Sequence, residues 1–92
     1  MRKFIRNIGT SIGVIFNSEE QQIYGFKEGI TVQFRMGTRS KKGELDEFHY
    51  KKIRRIGNSL GIIFNTEEVQ IYKLKSKEII QMQITSKISE EE

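Results

Sequence analysis

The chain states one pattern twice. Residues 3–36 and 51–84 align without a gap at an offset of 48, and half of the aligned positions are identical. Ile8-Gly9-Thr10-Ser11-Ile12-Gly13-Val14-Ile15-Phe16-Asn17 returns as Ile56-Gly57-Asn58-Ser59-Leu60-Gly61-Ile62-Ile63-Phe64-Asn65. Such a duplication implies a pseudo-two-fold axis inside one chain, so that whatever one copy presents, the other presents again, rotated. Each copy, at about 35–45 residues, is near the size below which a chain rarely buries enough apolar surface to fold alone. The two copies, residues 1–50 and 51–92, therefore share one core as a single compact domain.

Each copy reads as strand, turn, strand, short helix, strand. First strands are expected at about 3–8 and 51–56, second strands at 12–16 and 60–64, where short Ile- and Val-rich runs fit buried strands. Gly9-Thr10-Ser11 and Gly57-Asn58-Ser59 lie between them, glycine permitting a positive-φ hairpin turn. Asn17-Ser18-Glu19-Glu20 and Asn65-Thr66-Glu67-Glu68 open helices: a cap, then acids at the positive end of the helix dipole. Ile23, Tyr24, Ile71 and Tyr72 are expected to anchor these helices in the core, the first helix ending near Gly25 where the second copy has Lys73. Strands resume at about 30–36 and 78–84. A polar loop over 37–43 leads to a return strand over 44–50 that can run directly into the first strand of the second copy. The acidic tail 89–92 is expected to fray.

Net charge is +4, and its placement tells more than its total. Residues 1–16 carry Arg2, Lys3 and Arg6 with no carboxylate, and residues 48–66 carry Lys51, Lys52, Arg54 and Arg55, again with none. A localised basic footprint is what phosphate binding requires; a solvated edge that discourages strand pairing is the structural counterpart. There is no cysteine and one histidine, His49. Thiol chemistry and disulfides are excluded, no carboxylate–histidine cluster has metal-ligand spacing, and no Gly-Lys-Ser/Thr phosphate loop occurs. No enzyme activity, cofactor or metal is expected. Neither a signal peptide nor a membrane-spanning apolar run is legible, so a cytoplasmic protein with no membrane partner is expected.

Arg54-Arg55-Ile56-Gly57-Asn58-Ser59-Leu60-Gly61-Ile62 resembles the start of the SpoVT/AbrB-like family, MazE-type antitoxins in particular. Phe26-Lys27-Glu28-Gly29-Ile30-Thr31-Val32 is similar to that family's later stretch. Members are chains of about half this length that swap hairpins into one intertwined core and bind DNA through the first strand and the turn after it. The resemblance implies a mainly β fold with short helices (α+β), in which two swapped-hairpin repeats, each β-β-α-β-β, form an intramolecular pseudo-dimeric β-barrel. Fusion makes the halves mutually local, so assembly no longer depends on concentration, and it lets them diverge. Arg55 is matched by Asn7, Asn58 by Thr10, and Lys52 by Phe4. The family's basic residue late in the second strand is Ile15 and Ile63 here, and its proline at the helix entrance is Asn17 and Asn65.

The expected DNA-contacting residues are Lys3, Arg6, Asn7, Thr10 and Ser11 in the first copy and Lys51, Lys52, Arg54, Arg55, Asn58 and Ser59 in the second. Arginine forks onto guanine or clamps phosphate, Asn58 suits adenine, the hydroxyls suit phosphate or base edges, and the lysines neutralise phosphate. The expected partner is double-stranded DNA of imperfect palindromic sequence, bound by a transcriptional regulator that is a monomeric pseudo-dimer or associates further. The competing expectation is a protein-binding modulator or antitoxin-like module. MazE-type antitoxins carry a long disordered tail that wraps the toxin, and only a few residues follow the last expected strand here.

Overall fold

A computed structural model describes residues 1–37 and 48–88. The chain order is β1 (Arg2–Phe4), β2 (Arg6–Ile8), β3 (Ser11–Phe16), α1 (Ser18–Tyr24), β4 (Thr31–Gly37), β5 (Phe48–Lys52), β6 (Arg54–Ile56), β7 (Ser59–Phe64), α2 (Thr66–Tyr72) and β8 (Ile79–Ile88). The strands form two antiparallel four-stranded sheets, ordered β1-β8-β4-β5 and β2-β3-β7-β6. The expected loop over 37–43 lies almost wholly outside the described residues, as do the first part of the 44–50 strand and the 89–92 tail. Phe48–Lys52 does run as one strand from the first copy into the second.

The duplication is written into the pairing. Arg2, Lys3 and Phe4 pair with Gln81, Ile80 and Ile79; their counterparts Tyr50, Lys51 and Lys52 pair with Gln33, Val32 and Thr31. Each first strand thus adds to the last strand of the opposite copy. The two central ladders are their own images under the offset: Val14 pairs with Ile62 and Arg35 with Gln83, each residue facing its own counterpart. Those two points mark the pseudo-two-fold. Between the sheets lies one apolar cluster drawn from both copies, with Val14, Phe16, Val32 and Phe34 from the first and Ile62, Phe64, Ile80 and Met82 from the second.

Two expectations about this frame are corrected. The first strands are not continuous over 3–8 and 51–56. Each breaks at a buried isoleucine, Ile5 or Ile53. There the chain leaves one sheet and enters the other, a bend by which strands turn corners between packed sheets. The backbone groups of Ile5 bond to Glu78 and Lys77, and those of Ile53 to Ile30 and Gly29. Because hydrogen bonds at these corners go to turn residues rather than to a neighbouring ladder, the sheets do not join into a closed barrel. They remain two sheets with edges at β1, β5, β2 and β6.

The second correction concerns the helices. Asn17 and Asn65 cap them through full capping boxes with Glu20 and Glu68, as the Asn-Ser/Thr-Glu-Glu runs predict. Both end in a left-handed residue, Gly25 (φ 68°) and Lys73 (φ 54°). The buried stripe runs through Tyr24 in α1 and through Val69 and Tyr72, three apart, in α2. Ile23 and Ile71 are not core anchors: they are 69% and 56% exposed. At 100° per residue, a side chain one position before the tyrosine swings away from a stripe that extends back three.

Candidate nucleic-acid interface

Alternation fixes which side chains of the β2-β3-β7-β6 sheet face outward. Val14 and Phe16, with Leu60, Ile62 and Phe64, point into the core, so Ser11, Gly13, Ile15, Ser59, Gly61 and Ile63 point away from it. Arg6 pairs with Gly13 and Arg54 with Gly61, which places both arginines on that outer face. They stand on opposite edge strands, each beside a residue without a side chain. Ile15 and Ile63, where the AbrB-like pattern carries a basic residue, are half-buried on the same face.

The turns before β3 and β7 are two-residue loops, Gly9-Thr10 and Gly57-Asn58. Gly9 and Gly57 each have φ near 61°, and neither Thr10 nor Asn58 is left-handed. Positive φ at the first position alone belongs to a type II′ turn, whose twist suits a hairpin. Thr10, Ser11 and Asn58 are exposed and Ser59 is half-buried. Because β3 and β7 run antiparallel, the two turns lie at opposite ends of the sheet, about 20 Å apart along the strands.

The structure brings residues of the two copies together at one groove. Thr10 and Ser11 of the first copy line it with Lys51, Lys52, Arg54, Asn65 and Thr66 of the second. Arg6 and Asn7 line a smaller hollow with Phe4 and Lys77.

Other expected residues are separated or engaged. Arg54 and Arg55 are adjacent on a strand and so face opposite ways. Arg55 is paired in register with buried Leu60 and reaches along the edge to Glu28, its Nε donating to Oε1 at 3.2 Å. Both partners stay more than half exposed. The first copy has no such pair, because Asn7 and Ser76 occupy the equivalent positions.

Lys3 and Lys51 are structural cations. Lys3 Nζ lies 2.8 Å from Glu20 Oε1 and Lys51 Nζ 2.7 Å from Glu68 Oε1, with these side chains only 12–20% exposed. The same carboxylate oxygens accept the capping N–H of Asn17 and Asn65, both at 2.9 Å. One oxygen thus ties a first strand to a helix start in each copy. Sequence reasoning assigned the glutamates to capping but missed their lysines, although both the lysine and the glutamate recur at equivalent positions in the two copies. It missed Glu28 as well, and there the repeat offered no signal. Lys51→Met keeps the aliphatic stem and is expected to lower stability by about 1 kcal/mol, between the exposed and buried limits for an ion pair. Duplex affinity should change less than for Arg54→Ala; urea melts and a binding titration of the two variants check this.

Among the described residues no group of His, Asp or Glu could hold a metal ion, and no helix is long and apolar enough to cross a membrane. Comparison with protein-family models, curated proteins and solved structures finds no match to this chain.

Proposed function

We propose that this chain is a swapped-hairpin, AbrB-like pseudo-dimer that binds imperfectly palindromic duplex DNA as a cytoplasmic transcriptional regulator. The observation that carries the reading is the pair Arg6 and Arg54. They are identical residues at equivalent repeat positions on one outer sheet face, each beside a glycine and in a segment without carboxylates. The exchange of first strands between copies supports the swapped-hairpin architecture. The groove that joins Thr10 and Ser11 to Lys52 and Arg54 offers hydroxyls and cations to a phosphate backbone. In this reading Arg6 and Arg54 enter the major groove or clamp its rims, and the turn residues contact phosphate and base edges. Half-buried Ile15 and Ile63 leave the middle of the face apolar, where thymine methyl groups fit better than phosphates.

Fluorescence anisotropy on labelled duplexes, including the DNA upstream of its own coding sequence, tests this across a salt series. Affinity should fall with salt on a slope of several released counterions and be tighter on one fragment than on the rest. A folded protein that binds no duplex at low salt would rule the reading out. The second reading, a protein-binding modulator, draws on Ile23 and Ile71, which both copies keep exposed on α1 and α2.

A further inference from the structure

The outer face of the β1-β8-β4-β5 sheet lies apart from the arginine face and carries a different chemistry. Val32, Phe34 and Met36 of β4 and Ile80 and Met82 of β8 are buried, so their neighbours face outward. The registers then place three aromatic residues there. Phe4 is paired with Ile79, Tyr50 with Gln33, and Phe48 with Arg35. They are 55%, 58% and 50% exposed. Three cations share the face: Arg2 opposite Gln81, Lys52 opposite Thr31, and Arg35 at the pseudo-two-fold. Gln33, Gln81 and Gln83 fill the middle, and no described residue of these four strands is a carboxylate.

The pattern is built into both halves. Under the offset of 48, Arg2 corresponds to Tyr50 and Phe4 to Lys52. Each end of the face thus keeps one aromatic and one cation, in swapped order. Phe48 and Tyr50 are successive same-face residues of an edge strand, about 6.6 Å apart. The Arg35 guanidinium lies over the Phe48 ring at 5.1 Å, and its buried Nε has no hydrogen-bond partner.

We infer that this face binds single-stranded nucleic acid by stacking bases on Phe48, Tyr50 and Phe4. Unpaired bases stack on exposed aromatic rings and on guanidinium planes of a sheet, while flanking cations follow the phosphates. The central glutamines offer donors and acceptors to base edges, which an aliphatic protein partner would not use. A second copy is disfavoured as occupant, because two such faces meeting would oppose Arg2, Lys52 and Arg35 to their own copies, and the described residues of these strands bring no acid between them. Tyr50 also borders the groove that holds Arg54, so a strand leaving the aromatic pair meets a further cation.

The test uses the full chain and fluorescein-labelled oligo(dT) and oligo(U) of about 15 nucleotides. With no tryptophan and three tyrosines, of which Tyr50 is the exposed one, titration should quench tyrosine emission. Phe48→Ala with Tyr50→Ala should weaken single-strand binding by about 10- to 100-fold, given the usual cost of losing a stacked base. Phe48→Ala alone, which lies outside the groove of Thr10, Ser11 and Arg54, should weaken single-strand binding and leave duplex affinity within about threefold. Tyr50→Phe should retain the affinity and lose most of the quench. The converse pair, Arg54→Ala with Arg55→Ala, should impair duplex binding more than single-strand binding, so loss of the duplex reading leaves this one standing and the reverse. Single-strand affinity unchanged in the Phe48/Tyr50 variant overturns the proposal. So does self-association of the wild-type chain in analytical ultracentrifugation that this variant abolishes.

Discussion

Alanine at Gly13 or Gly61 is expected to lower the melting temperature by about 5–20 °C. These glycines face each other's strands across the central β3–β7 ladder, next to the pseudo-two-fold at Val14 and Ile62. A Cβ on Gly13 would sit far inside contact distance of the Ile62 carbonyl, and one on Gly61 would do the same to the Val14 carbonyl. Neither obstacle is a flexible side-chain tip; both are backbone of the partner strand. On the outer face the Ile8 Cδ1 would lie 3.0 Å from the new atom at Gly13, and the Ile56 Cδ1 2.8 Å from that at Gly61. The ladder must open or the strands must slide. Overpacking of this kind costs about 1–3 kcal/mol, and in a domain of this size each kcal/mol shifts the midpoint by about 4–8 °C.

The double variant carries the sharper test. Opening the β3–β7 ladder once relieves both contacts, so the paired loss should fall short of the sum of the singles. Thermal melts followed by far-ultraviolet circular dichroism measure all three. Full additivity would mean that the two sites relax independently, against the close approach of β3 and β7 along this ladder. Unchanged melting of both single variants would place the strands further apart than this register allows.

What could be read beforehand divides along physical lines. The second strands, the turns at Gly9 and Gly57 and the helix starts at Asn17 and Asn65 are local events, set by alternation, glycine conformation and capping. The expected mainly β fold with short helices holds at that level. The corners at Ile5 and Ile53 were not legible, because a strand that changes sheets keeps its polar and apolar residues while its hydrogen-bond partner changes. Closure into a barrel was likewise a question of which distant residues pair at the corner. Ile23 and Ile71 were expected in the core beside their tyrosines, but neighbours on a helix stand about 100° apart, and which of two adjacent apolar residues is covered depends on what packs against the helix. At the candidate site, Arg6, Arg54 and the turn residues could be chosen from the repeat alone. The opposite facing of Arg54 and Arg55 follows from strand parity once β6 is recognised as a strand. The aromatic face needed the registers, since parity groups Phe48 with Tyr50 but only their pairing to β4 shows which side is covered.

Replacing Arg54 and Arg55 together by alanine is expected to weaken duplex binding by about 10- to 1,000-fold while leaving stability within about 0.5 kcal/mol. Each guanidinium that forks onto a guanine or a phosphate accounts for about 1–3 kcal/mol. Neither contributes much to the fold. Arg54 is exposed on an edge strand, and the Arg55–Glu28 pair is exposed enough for water to screen it. Their opposite facing makes the singles unequal: Arg54→Ala should account for most of the loss, since Arg54 shares its face with Arg6 and lines the groove of Thr10 and Ser11. Glu28→Gln, which releases Arg55 from its carboxylate, should leave affinity unchanged or raise it, because it removes a negative charge beside the footprint. Arg6→Ala should cost less than Arg54→Ala, because its hollow contains Phe4 where the second copy has Lys52. Anisotropy titrations at one salt concentration, with melts of each variant, read all of these. Equal losses for Arg6→Ala and Arg54→Ala would make the two half-sites equivalent and remove the case for an imperfect palindrome. Unfolding of the double variant would assign the arginines to the fold instead of the interface.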